Sequence, residues 1–444
     1  MSQHQNHPEI GRRRLLQGLT AIGLGGAAAG CAGPGTVRGN SARSGAVPNA
    51  PAPVASTPVK GEISFAHWRA EDKAVFDQII AGFAKANPGA SVTQDISPSN
   101  DYQSTALQKI KGGAIGDVFT AFRGAQFVNM VKAGAFLDLS AQLFADNYLP
   151  KMTRGGKDAN GRQLGLPYQL VFNMPIYNVD LFERAGISEL PQDWDGFLGL
   201  CDRLKAAGVV PIAWPGGEPA NAGQLFNAMV MNNQPADDAC AGIEAGRYKV
   251  TDDWFLKTLR QYAELRPFFE PKATGTASEP LQQLFATQKA AMLATGSFHL
   301  AAVRKLGATF AMDLIAPITV PKDQVKYVGI HNATFILGVN AASQQHQQAL
   351  KFVEYLSDPA VASIYANGTG QHLTVSGVEY TNRDLKATAP WLDRKTLLAP
   401  RFQFEDLDLR AAVENACTQV AGGTAPEQAA DAAQRIVEQR RRSR

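Results

Sequence analysis

Along residues 61–139 the apolar positions switch period several times. Ile63, Phe65 and Ala66 form a short apolar run, bounded upstream by Gly61 and Pro58, which predicts a buried strand. From Glu71 the spacing becomes three and four. Val75, Phe76, Ile79, Ile80 and Phe83 recur as one face of a helix. Asn87-Pro88-Gly89 ends it, because proline cannot continue a helix and restricts the residue before it. Residues 91–96 alternate as a second strand. Residues 102–113 read as a helix with Leu107 and Ile110 inward, closed by Gly112-Gly113. A third strand is expected over 116–122 and another helix over 127–133. Strand and helix alternating at this spacing predict an α/β fold with a parallel sheet.

The pattern continues with an extended apolar and aromatic stretch over 164–177. An amphipathic helix follows over 194–207, with Phe197, Leu200, Cys201 and Leu204 on one face, then a strand over 209–214 ending at Trp214. Residues 224–269 read as largely helical. Strands are expected over 290–295 and 335–339, a crossing segment over 311–318, and helices over 347–356 and 412–440. No internal repeat of fixed period is present.

The ends of the predicted strands carry the chemistry. In open α/β sheets ligands bind beyond the carboxyl ends of the strands. His67, Trp68, Arg69, Glu71 and Asp72 follow the first strand and Arg123 the third. Tyr168, Gln169 and Asn173 lie on the 164–177 stretch, Trp214 and Glu218 follow the next strand, and Phe298 and His299 follow another. Indole and phenyl faces beside planar polar groups suit a ligand with an apolar C–H side and a ring of hydroxyls. Each residue also has a plainer reading. Glu71 and Asp72 favour a helix N-terminus, Trp68 and Tyr168 fill a core, Arg123 is a surface arginine, and His331-Asn332 forms a turn before a strand.

Six segments, in order, carry a resemblance. They are FAHWRAEDKAVFDQIIAGFAKANPG, GDVFTAFRGAQFVNMVKAGAFLDLS, LPYQLVFNMPIYNVDLFERAGI, PQDWDGFLGLCDRLKAAGVVPIAW, QKAAMLATGSF and ALKFVEYLSDPAVASIYANGTG. Together they resemble the extracellular solute-binding proteins of bacterial carbohydrate ABC importers, of the maltose and raffinose type. The resemblance implies a two-lobed periplasmic-binding-protein fold of type II, with the ligand in a cleft between lobes joined by crossover strands. It implies lobe one from 61–169 and 317–360, and lobe two from 170–316 and 361–444. It implies an oligosaccharide ligand such as an α-galactoside, an ABC permease as partner, and a monomer without cofactor or metal. Phe298 stands where such proteins carry a stacking tryptophan. Gln371 and His372 fall where they place ligand-contacting loops, and Trp214 is expected to stack on the sugar.

Charge and composition narrow the alternatives. Hydrophobic residues are 45% and charged ones 19%, as in a folded globular protein. The net charge is +3, and removing residues 1–30, with three arginines and one glutamate, leaves about +1. Such a chain has no electrostatic reason to bind nucleic acid. Arg12-Arg13-Arg14-Leu15-Leu16-Gln17 resembles a twin-arginine export motif. Ala28-Ala29-Gly30-Cys31 resembles a lipobox, with Ala28 where leucine is usual. Residues 1–31 are thus expected to be a lipoprotein signal and Cys31 a lipid anchor to the membrane, with the exported protein periplasmic or at the cell surface. Residues 32–60, rich in Gly, Pro, Ala and Ser, are expected to be a tether. Cys201, Cys240 and Cys417 remain. They are too few for a disulfide framework, although a Cys201–Cys240 bridge is open.

A secreted glycosidase would need two carboxylates flanking one bond. The acidic pairs here (Glu71-Asp72, Asp237-Asp238, Asp252-Asp253 and Glu405-Asp406) are sequence neighbours, which do not face each other on a helix. No metal-protease, nucleophile-elbow or phosphate-loop motif is present. The expectation is a binding protein and not an enzyme. Another small polar solute, a polyol or a glycerol phosphate, is the alternative ligand. Arg69 and Arg123 beside Glu71 and Asp72 weigh against a phosphate.

Overall fold

The computed structural model describes residues 54, 56–113 and 116–443. The signal and Cys31, and most of the expected tether, lie outside the described residues. Among those described, two sheets organise the chain. Strands β1 (Gly61–His67), β2 (Ala90–Ile96) and β3 (Val118–Ala121) alternate with helices α1 (Lys73–Ala86), α2 (Ser99–Lys111) and α3 (Ala125–Lys132). The chain then runs through β4 (Leu166–Phe172) into β5 (Ile176–Asn178) of the second sheet. That sheet is completed by β6 (Val210–Ala213), β7 (Ala290–Leu293) and β8 (Met312–Leu314), in the order β6-β7-β5-β8. Strand β9 (Gly329–Val339) returns to the first sheet. It pairs antiparallel with both β3 and β4, which gives the order β10-β4-β9-β3-β1-β2, with β10 (His372–Leu373) at one edge. Strand β11 (Thr396–Leu398) pairs with the start of β9.

The periods read from residues 61–139 are realised closely. Phe76, Ile79 and Phe83 are the buried face of α1, and its backbone ends at Asn87. Beyond the first crossover three assignments change. Val361, Ala362, Tyr365, Ala366, Leu373, Val375 and Leu385 belong to the first lobe's core, not the second's. The helix Pro359–Thr369, here α4, is capped by Asp358 and lays its Tyr365 ring 4.8 Å from Phe76 of α1. The segment expected to cross at 311–318 instead contains β8, a strand of the second sheet, and the return to the first lobe is made by β9. His331-Asn332 lies inside β9 and not in a turn before it.

The second lobe's core gathers α5 (Trp194–Ala206), α6 (Pro219–Asn233), α7 (Leu407–Ala421) and α8 (Pro426–Arg442) around β6 and β7. A third cluster, with Leu170, Phe172, Met174, Ile330, Ala333, Trp391 and Leu397, sits where the strands cross between the lobes. Cys201, Cys240 and Cys417 are free and buried, and burial pushes each thiol above its ordinary range. Among the described residues no helix is long and apolar enough to cross a membrane.

Candidate functional site

The parallel arrangement of β1, β3 and β4 brings their carboxyl ends to one edge of the first sheet. His67 closes β1 and is fully buried. Its Nδ1 accepts from the Arg69 backbone N–H at 3.2 Å, so the proton sits on Nε2, which reaches Gln94 Oε1 at 2.9 Å. Burial lowers its pKa to about 4, which keeps the ring neutral in that role. His67 therefore fixes the backbone from which Arg69 projects. Trp68 is 8% exposed and stacks on Phe122, past the end of β3, with centroids 3.7 Å apart and planes 18° apart. The edge of Phe335 in β9 closes the platform at 4.9 Å. Phe335 has φ +51, a strained value for a bulky side chain, and it lies on the strand that joins the lobes.

Arg69 is mostly saturated. Its Nε donates to Asp72 Oδ2 at 2.7 Å and its Nη2 to Oδ1 at 3.1 Å, while Nη1 lies 3.0 Å from Glu71 Oε1. Asp72 also accepts from the Tyr365 hydroxyl at 2.5 Å, and Gln169 Nε2 donates to that hydroxyl at 2.5 Å. Asp72 is 2% exposed, so both its oxygens serve the fold. Glu71 remains half-exposed. Arg123 follows Phe122 and lies over Gly155, beside Arg154.

From the second lobe, the loop after β7 presents Phe298 and His299, whose rings meet edge to face at 4.4 Å. His299 Nδ1 bonds Thr295 Oγ1 at 3.0 Å. Burial lowers the imidazole's pKa to about 4, with Glu218 raising it and Arg69 lowering it further. That coupling brings Arg69 of one lobe and His299 and Glu218 of the other within electrostatic reach across the interlobe space. Glu218 is anchored by the Ser278 backbone N–H at 3.0 Å and by Asn221 Nδ2 at 2.7 Å, and these donors hold its pKa below the ordinary value against its burial.

Trp214 is a correction. It is wholly buried, stacked on Phe269 at 4.9 Å and 18°, with its Nε1–H donated to Ala222 O. It holds the second lobe's core and offers no face to a ligand. Tyr168 likewise is wholly buried in the first core, 5.3 Å from Tyr365. Gln371 and His372 are 2% exposed. His372 lies in β10 at the edge of the first sheet; its Nε2 bonds Thr388 Oγ1 at 2.8 Å and its Nδ1 is buried without a partner among the described residues, while Gln371 Nε2 donates to Thr369 O at 3.4 Å. Asn173 sits at the crossover itself and donates to Gln224 of α6 at 3.2 Å, and its Oδ1 is buried without a partner. Among the described residues Asn332 Oδ1 and Thr334 Oγ1 of β9 are also buried and without a partner. Acceptors and a hydroxyl of this kind suit a ligand that supplies hydroxyl protons.

Of the expected residues, Trp68, Arg69, Glu71 and Asp72 lie together past β1, Arg123 follows Phe122 of the Trp68 stack, Phe298 and His299 meet past β7, and Asn173 lies at the crossover beside Gln224. Phe122, Tyr365, Arg154, Thr334 and Gln224 were not singled out from sequence. Phe122 alone carried a local signal, as an aromatic past a strand end. Among the described residues no group of three or more His, Cys, Asp or Glu is placed to hold a metal.

Comparison with known proteins places this geometry in a family. The model for bacterial extracellular solute-binding proteins matches residues 68–363. The multiple sugar-binding protein of Streptococcus mutans serotype c is 22% identical over 326 residues, 72% of this chain and 76% of that protein. The sn-glycerol-3-phosphate-binding periplasmic protein UgpB of Brucella abortus is 24% identical over 234 residues, 51% of this chain and 52% of that protein. The solved structure of the solute-binding protein RafE in complex with raffinose superposes with a TM-score of 0.75 at 18% identity, covering 86% of this chain and 100% of that one. That likeness shows a shared two-lobed fold. With a match over more than half its length, the chain belongs to the bacterial extracellular solute-binding proteins, which bind their solutes and do no chemistry on them.

Proposed function

We propose that the chain captures an oligosaccharide, with α-galactosides as the first candidates, between its two lobes and delivers it to the membrane subunits of an ABC importer. The observation that carries this reading is the Trp68–Phe122 platform at the first lobe's strand ends, beside Arg69 and within electrostatic reach of His299 and Glu218. An aromatic face next to planar polar groups recognises a sugar ring by its apolar side and its hydroxyls together. The raffinose held by RafE and the sugars for which the Streptococcus mutans relative is named favour the same ligand class. A ligand touching both lobes stabilises the closed form, and the membrane subunits read closure. In this reading Cys31 carries the lipid that keeps a monomeric receptor at the membrane.

The test is titration of the mature protein with mono-, di- and trisaccharides, α-galactosides included, followed by tryptophan fluorescence and calorimetry. Saturable binding of a saccharide is expected. Silence to every carbohydrate combined with a response to an amine or a phosphate ester would overturn the reading, and turnover of a glycoside would also end it.

A further inference from the structure

Two arginines stand at the first lobe's strand ends, and they differ in one respect. Arg69 has its counter-charges in Asp72 and Glu71. Arg123 has none: among the described residues it makes no hydrogen bond and no ion pair. Burial lowers its pKa to about 10, and the only charged neighbour that shifts it is another cation, Arg154. His331 of β9 also feels Arg123: burial lowers its pKa to about 4, with Arg123 and Lys151 pushing the same way. His331 Nδ1 bonds Thr396 Oγ1 at 2.8 Å and the Lys151 ammonium donates to Leu392 O at 3.1 Å; neither group is an anion, so neither offsets the guanidinium's charge.

The surroundings of Arg123 are built for it. A Cβ placed on Gly155 would stand 2.7 Å from Nη1, so glycine there makes the room in which the guanidinium lies. Gly124, at φ +87, lets the chain turn directly after Arg123. A Cβ there would stand 3.3 Å from Phe404 O and 3.4 Å from Phe402 O, so the second lobe's 400–404 segment roofs this corner. Arg123 is partly exposed, and a partly buried cation that neighbours a second cation favours the approach of an anion. Guanidinium matches a planar two-oxygen anion better than any other side chain does.

We propose that the solute carries a carboxylate, as a uronic acid unit of a saccharide does, and that Arg123 takes this group between the lobes with Arg154 as the second cation. The inference rests on the sugar reading above and adds a charge to that sugar. Arg123 directly follows Phe122 in the chain, and in this proposal a sugar ring stacks on the Trp68–Phe122 platform while its C6 carboxylate meets the guanidinium. Asn332 and Thr334 of β9 carry buried polar atoms without a partner among the described residues. Arg69 with its two carboxylates, Asp72 and Glu71, carries a net negative charge, so the attraction for the carboxylate comes from Arg123 and Arg154.

The experiment is calorimetry on the mature protein with matched pairs: galactose against galacturonate, and a neutral digalactoside against digalacturonate. A third arm uses sn-glycerol 3-phosphate and a hexose phosphate, which separate a phosphate from a carboxylate. The acidic member of each pair is expected to bind at least about tenfold more tightly, and less so as salt rises. In Arg123→Gln the ratio of acidic to neutral affinity should fall by about 10- to 100-fold. Arg154→Gln should lower the same ratio by a smaller factor. Denaturation of the ligand-free variants checks that they fold, and if Arg123→Gln does not, Arg154→Gln and the wild-type ratios decide. Neutral saccharides binding as well as the acidic ones, or an unchanged ratio in the variants, would overturn the carboxylate while leaving the sugar reading intact. Tighter binding of the phosphates than of any saccharide would overturn both, as would silence to all.

Discussion

The Asp72→Asn substitution separates the two roles this carboxylate can have. In the structure it is 2% exposed, receives two hydrogen bonds from Arg69 at 2.7 and 3.1 Å, and accepts a third from Tyr365 at 2.5 Å. Removing one member of a buried ion pair costs about 3–5 kcal/mol, because the other charge is left uncompensated. Two features reduce that figure. Asparagine keeps one acceptor oxygen, and Glu71, 3.0 Å from Nη1, still faces Arg69, although a half-exposed partner is worth at most about 1 kcal/mol. The expected loss is about 2–4 kcal/mol, read as a lower denaturation midpoint of the ligand-free mature protein. The double substitution Arg69→Met with Asp72→Leu should recover most of it, since replacing both charges by apolar groups is often close to neutral. If Asp72→Asn left unfolding unchanged and abolished saccharide affinity, Asp72 would be a ligand contact and the reasoning would fail. Additive losses in the double variant would refute the coupling.

The other predictions divide between fold and cleft. Trp214→Ala should destabilise the ligand-free protein by about 3–5 kcal/mol, as emptying a packed aromatic site does; a folded variant with normal stability and no affinity would return Trp214 to the binding site. Phe122→Ala should weaken saccharide binding by about tenfold through loss of the stack beneath Trp68, measured by calorimetry, and unchanged affinity would remove the platform from the site. For pH, His67 and His372 are buried with pKa values lowered from 6.5 to about 4. Between those values the unfolded chain binds more protons than the folded one. Their stabilisation is therefore complete above pH 6.5 and lost as pH falls toward 4, each by up to about 3 kcal/mol. His67→Gln should flatten that slope by about one proton, and a midpoint constant from pH 7 to pH 4.5 would contradict the assignment. Gly124→Ala should cost about 1–3 kcal/mol from the forced backbone conformation, and should also shift the solution scattering of the ligand-free protein toward a more open form, because its methyl meets the 402–404 backbone.

How far the sequence could be read depended on the span over which each cause acts. The period of α1 and the turn at Asn87-Pro88-Gly89 are local, and so is the Arg69–Asp72 pair three residues apart. All are visible in a short window. The third partner of Asp72 is Tyr365, 293 residues away, and no window contains both. The same limit misassigned residues 361–385. Their apolar pattern announces a buried face but not which core covers it, and packing against α1 decided for the first lobe. Trp214 shows a subtler confusion. Pro215-Gly216-Gly217 reads as an open turn that leaves the indole exposed. A Cβ on Gly216 would stand 2.6 Å from Ala273 O, and one on Gly217 2.9 Å from Gly275, so these glycines exist for close backbone passage. The feature that looked like exposure is the one that permits burial. Arg123 runs the other way. By sequence it shares the strand ends with Glu71 and Asp72, and that mixture argued against an anionic ligand. In three dimensions both acids contact Arg69, and the charged group that shifts Arg123 is Arg154, so the charge immediately beside Arg123 is positive and favours an acidic group of the solute there.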